Sequence, residues 1–82
     1  MDLVLLTETI VKMLACDEEA VSVREYETTE EDFVHMEVLV SEEDLGRVIG
    51  KDGRTIRSIR TIVQASSSLN GGRKVKIDVD SY

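Results

Sequence analysis

The chain has 82 residues with one cysteine, one histidine and no proline, which bounds it to one domain without a disulfide framework or a cysteine–histidine metal set. Its longest apolar runs, 3–6 and 13–16, are too short to span a bilayer, and Asp2 and Glu8 stand where a secretory signal carries basic residues, so the sequence predicts a soluble cytoplasmic domain that does not enter a membrane. The net charge of −7 is divided unevenly: residues 1–45 hold two bases against fourteen acids, a net of −12, and residues 46–82 hold eight bases against three acids, a net of +5.

Residues 3–15 carry helical spacing, with Leu3, Leu6, Ile10, Met13 and Leu14 on one core-facing stripe and Glu8 and Lys12 four apart elsewhere. Cys16 reads as a small apolar residue at the end of that helix. Val21 and Val23 alternate with Ser22 and Arg24, predicting a strand over about 20–27, and the polar run 28–32 predicts a turn. A second strand follows over 33–40. Val34, Met36, Val38 and Val40 form its inner face, and Phe33, His35, Glu37 and Leu39 form the solvated one.

Ser41-Glu42-Glu43-Asp44 has the pattern of a capping box and opens a short helix over 42–49 that Gly50 ends. A longer helix runs from about Gly53 to Ser68, and Asn70-Gly71-Gly72 stops it. The last strand, 73–80, turns Val75, Ile77 and Val79 inward and Lys74, Lys76, Asp78 and Asp80 outward. Arg73, Lys74 and Lys76 read as ordinary strand-edge charges. The order is α-β-β-α-α-β in an α+β domain. Its simplest two-layer form is a three-stranded sheet with the helices on one face. The N-terminal helix and hairpin occupy 1–41, the helix–loop–helix 42–68 and the final strand 73–80.

Between the second and third helices stands Leu45-Gly46-Arg47-Val48-Ile49-Gly50-Lys51-Asp52-Gly53-Arg54-Thr55-Ile56. Two glycines three apart make a tight interhelical turn as readily as a binding loop, so the pair alone decides nothing. Its flanks add to it. Apolar Val48 and Ile49 precede the loop, Ile56 follows, and the helix–loop–helix feeds a strand. Glycines at 50 and 53 would let a sugar-phosphate backbone approach the main chain. The loop N–H groups and the next helix N-terminus favour anions. Lys51, Arg54 and Arg57 extend the positive field. Asp52 partly cancels it, unless it points to solvent or caps the helix. Ile49, Ile56 and Val38 would line an aliphatic groove for bases. Tyr26, Phe33 and Tyr82 all lie far from the loop along the chain, which predicts modest, salt-sensitive affinity without a stacking platform.

The run Val48-Ile49-Gly50-Lys51-Asp52-Gly53-Arg54-Thr55-Ile56 resembles the signature of KH domains. The element order resembles their type II form, and the whole chain resembles the small stand-alone bacterial KH proteins of the KhpA family. The resemblance implies single-stranded RNA held over about four nucleotides at Ile49, Gly50, Lys51, Asp52, Gly53, Arg54, Ile56 and Arg57. It implies no cofactor. It also implies a role as an RNA chaperone or post-transcriptional regulator that affects cell elongation and division.

The helix after the loop has a second apolar stripe, beside the core stripe of Ile56, Ile59 and Val63. It comprises Ile62, Ala65 and Leu69 among Ser58 and Ser66. The stripe is either a wide core face or an interface. The resemblance implies a homodimer, or a heterodimer with a larger KH-containing RNA-binding protein of the KhpB (Jag, EloR) type. A protein-interaction adaptor that dimerises through this helix without RNA is the alternative function. An enzyme is not expected: there is no nucleophile–base pair, and Gly50-Lys51 is not followed by the Ser or Thr of a Walker loop.

Overall fold

A computed structural model describes residues 2–82. It arranges them as α1 (Leu3–Leu14), β1 (Ser22–Tyr26), β2 (Phe33–Val40), α2 (Glu42–Ile49), α3 (Arg54–Leu69) and β3 (Lys74–Ser81), with 3-10 turns at Glu18–Ala20 and Lys51–Gly53. The expected α-β-β-α-α-β order is therefore present. The strands lie in the order β1-β2-β3, with β1 antiparallel and β3 parallel to the central strand. Parallel neighbours cannot be joined by a hairpin. The crossover between β2 and β3 is α2, the 50–53 loop and α3, which suspends the loop between two helices packed on the sheet.

The strict alternation of β2 decides the sheet's two faces. Val34, Met36, Val38 and Val40 are all buried. With Val11, Val21, Val48, Ile59, Val63 and Val75 they form the core, each such side chain contributing about 1.5–3 kcal/mol on burial. The outer face is partly solvated, and there His35 Nε2 lies 2.6 Å from Asp78 Oδ2. At the end of α3 the Gly72 N–H donates to the Ser67 carbonyl at 2.8 Å, the six-to-one bond that closes a helix.

Three readings of the sequence are corrected. In α1 the buried centre is Thr7 and Val11, whereas Met13 is 80% exposed. The Thr7 hydroxyl donates to the Leu3 carbonyl at 2.8 Å, so its polar atom is satisfied within the helix and its methyl group can enter the core. Cys16 lies beyond the helix end and is exposed. Arg73 is not a free edge charge: its guanidinium donates to the carbonyls of Glu31 at 3.1 Å and Phe33 at 2.6 Å, fastening the β1–β2 connection to the start of β3.

The Ser41 capping box does not form either. The Ser41 hydroxyl instead donates to Asp44 Oδ2 at 3.0 Å. Asp44, only 2% exposed, turns its carboxylate away from its own helix and accepts the Cys16 and Asp17 N–H groups at 3.0 Å each. It thereby ties the turn after α1 to the start of α2. The bonds from Asp17 and Cys16 hold the Asp44 carboxyl below its usual range, against the opposing effect of burial. A carboxyl depressed in the folded state contributes stability that is present above its unfolded value and is lost as pH falls through its folded value. Asp44→Asn is therefore expected to lower the melting temperature at pH 7 and to leave a smaller difference from the parent below about pH 4, as thermal melts across pH 3–7 would read. A constant difference across that range would remove Asp44 from the acid response.

Candidate nucleic-acid interface

The loop is built by backbone geometry that most residues resist. Gly50 ends α2 at φ 77°, ψ 171°, a region essentially reserved for glycine. A Cβ there would lie 2.7 Å from Thr55 Cβ and 2.8 Å from the Thr55 nitrogen. Gly50 is thus needed by the packing of the loop onto the first turn of α3. Gly53 differs. It is left-handed at φ 74°, ψ 16°, and a Cβ on it would meet only the mobile Arg57 guanidinium, at 3.2 Å. The close approach open to an outside group is therefore at Gly53. Asp52 lies between them at φ 55°, ψ 25°, a left-handed conformation that Asp tolerates better than most side chains.

Lys51, Asp52, Arg54 and Arg57 are exposed, and Ile49, Gly50, Gly53 and Ile56 are half-buried. Asp52 does not cap α3, whose N-terminus has no side-chain cap. The first turn therefore keeps its positive end uncapped by any side chain of the loop. Among the described residues the ion pairs are Lys12–Glu8, Arg24–Glu37 and His35–Asp78. Lys51, Arg54 and Arg57 belong to none of them. A concave patch beside the loop is lined by Arg54, Arg57, Ser58, Thr61 and Ile62.

The predicted groove needs one correction. Val38 is fully buried in the sheet's core face and cannot meet a base. Ile56 packs against the core while keeping part of its surface. Ile49, the last residue of α2, is half-buried beside the loop.

The second stripe of α3 is not core. Ile59, Val63 and Ser67 are the buried residues of the helix, while Ile62 is 52% and Leu69 86% exposed. Ser58 and Ala65 are exposed and Ser66 is half-buried. Among the described residues no His, Cys, Asp or Glu group could hold a metal, and no helix is long and apolar enough to cross a membrane.

A family model described as the KH domain of KhpA and KhpB matches residues 5–79. The RNA-binding protein KhpA of Clostridium perfringens is 39% identical over 74 residues, covering 90% of this chain and 95% of that protein. KhpA of Clostridium acetobutylicum is 41% identical over 71 residues, covering 85% and 91%. KhpA of Leifsonia xyli is 54% identical over 44 residues, which is 54% of each chain. Among solved structures, Aquifex aeolicus Era bound to GDP and aluminium fluoride superposes with a TM-score of 0.73 at 19% identity, over 96% of this chain and 29% of Era. An Era complex with nucleotides 1506–1542 of 16S ribosomal RNA matches equally well. At that identity the likeness to Era is one of fold.

Proposed function

Because the chain belongs to the KhpA/KhpB KH-domain family, we propose that it binds single-stranded RNA, gripping about four nucleotides by their backbone at the 50–53 loop. One observation carries this reading: a loop with an exposed tip at Lys51 and Asp52 opens a helix N-terminus that has no side-chain cap, with Lys51, Arg54 and Arg57 outside every ion pair among the described residues. Phosphate oxygens would meet these cations and the Gly53 backbone beside the Arg57 guanidinium, and Ile49 and Ile56 would lie under the bases. As a KH-domain protein of this family the chain is not an enzyme. It would act in the cytoplasm as an RNA chaperone or post-transcriptional regulator, the role that resemblance to KhpA suggests for elongation and division. With a net charge of −7, RNA beyond the basic half is repelled, so binding is weak and salt-sensitive. Fluorescence anisotropy with a labelled short single-stranded RNA tests the site, comparing the parent with Lys51→Asp. A parent that shows no saturable binding overturns the reading.

The exposed stripe of Ile62, Ala65 and Leu69 supports a dimer made through α3, with Ser58 and Ser66 allowing close approach, or the same face docking a KhpB-type partner. Ile62→Glu should give a monomer by light scattering that still melts cooperatively, since Ile62 is half-exposed in the protomer, and whose melting temperature no longer depends on protein concentration. A variant that stays dimeric removes this stripe as the interface. The same stripe, in an acidic protein, favours the adaptor as the second reading. An adaptor would keep its dimer and show no RNA binding in the anisotropy titration.

A further inference from the structure

We propose that a second copy of this chain adds to the free edge of β3, the two strands running antiparallel about a two-fold axis at Ile77. β3 has a neighbour in the sheet on one side only. The Lys74 N–H donates to the Asp32 carbonyl at 2.8 Å and the Tyr82 N–H to the Val40 carbonyl at 3.3 Å, so the main chain of the even-numbered residues faces β2. That of Val75, Ile77, Val79 and Ser81 faces outward. Both ends of this edge are already filled. Gln64 accepts the Val75 N–H at 2.8 Å, and Asp80 Oδ1 accepts the Ser81 N–H at 2.8 Å. Between them lie the Val75 carbonyl and the N–H and carbonyl groups of Ile77 and Val79, with Ile77 at the middle.

The side chains repeat about the same midpoint. Lys74-Val75-Lys76-Ile77-Asp78-Val79-Asp80 is symmetric in its apolar positions and antisymmetric in its charges. Paired with itself at Ile77, the strand sets Lys74 opposite Asp80 of the second copy and Lys76 opposite Asp78, all four exposed on the outer face. Lys74 and Lys76 belong to no ion pair among the described residues. Asp78 meets His35 through Oδ2, which leaves Oδ1 for the lysine. On the inner face the half-buried Ile77 and Val79, at the margin of the core, would lie against Ile77 and Val75 of the second copy. Opposite charges directly across an antiparallel pair favour it, and like charges oppose it. A slip of one step sets Lys76 against Lys76 or Asp78 against Asp78, so the charges fix the register. The Ile77 N–H and carbonyl groups bond reciprocally across the axis, and each Val79 N–H reaches the opposite Val75 carbonyl, so Gln64 keeps its place. A foreign strand without these carboxylates meets the ammonium groups unpaired. On α3, Gln64 and Ile62 stand about 160° apart, so this edge is separate from the Ile62 stripe and both can be occupied at once.

The contact is a single strand pair, which places it among weak interfaces that form only towards millimolar protein. In low salt, sedimentation of the full chain should show the mass at least doubling between micromolar and millimolar concentration. The Ile77 and Val79 amides should exchange more slowly over the same range. Lys76→Asp or Asp78→Lys alone sets like charges opposite each other and should abolish the doubling, with the mass at micromolar concentration unchanged. An equimolar mixture of the two variants restores opposite charges at both positions and should regain it. A chain carrying both substitutions should regain it too, which separates lost pairing from a fold damaged by either change. A parent of constant mass, single variants that associate as the parent does, or a mixture and a double variant that both fail to associate overturn the proposal. So does a rise in mass without slower exchange at Ile77 and Val79, which puts the association elsewhere on the surface.

Discussion

Gly50→Ala is expected to cost about 2–5 kcal/mol, a large fraction of the stability of a domain of this size. Two effects add. The backbone at φ 77°, ψ 171° strains any L side chain. The new methyl group would also be driven into Thr55, within 2.7 Å of its Cβ and 2.8 Å of its nitrogen. The nitrogen cannot rotate away, because it belongs to the first turn of α3. Relief would require the helix to shift, and α3 carries Ile59 and Val63 into the core. Urea denaturation measures the loss. Gly53→Ala is the control: it too has positive φ, but its methyl group meets only a mobile guanidinium, so a smaller loss of about 1 kcal/mol is expected. A Gly50 variant within 1 kcal/mol of the parent would show that the interhelical turn does not need its glycine.

Lys51→Asp is expected to lower RNA affinity by roughly 10- to 100-fold, the range of a charge-assisted bond to phosphate lost and replaced by repulsion. Lys51 is exposed and takes part in none of the ion pairs among the described residues, so the substitution removes no internal contact and the melting curve should stay where it was. Because Asp52 is adjacent, the variant would present two carboxylates at the mouth of the loop, and the loss should shrink as salt rises. Undiminished binding by a folded Lys51→Asp protein would move the RNA site elsewhere.

The parts of the fold legible in the sequence were those fixed by local repetition. The alternation of Val34, Met36, Val38 and Val40 set β2 to the residue, and Gly50 set the end of α2. The loop signature was legible because it is contiguous, and its exposed Lys51, Arg54 and Arg57 lie where the spacing predicts. What was hidden depends on partners distant in the chain or on polar atoms satisfied inside. Thr7 lies off the apolar stripe of α1, yet it is buried with its hydroxyl satisfied by the Leu3 carbonyl. Arg73 reads as a solvated charge, yet it holds carbonyls forty and more residues earlier. Asp44 reads as a helix-opening acid, yet its acceptors face the N–H groups of Cys16 and Asp17. Apolar residues lie on more than one face of α1, and the spacing placed Met13 on the core-facing stripe, whereas the sheet buries Val11 and leaves Met13 exposed.

Gln64 in α3 accepts the Val75 N–H at 2.8 Å and donates to the Arg73 carbonyl at 3.0 Å. Both groups sit at the start of β3, the outermost strand on its side. An unsatisfied rim of this kind is a template on which foreign strands can add. A side-chain amide already fills those two positions, and Lys74 and Lys76 follow directly, so an incoming strand would have to evict the amide and then lie against repelling ammonium groups. The first positions of this flank of the sheet are therefore closed to strand addition by the fold's own side chain.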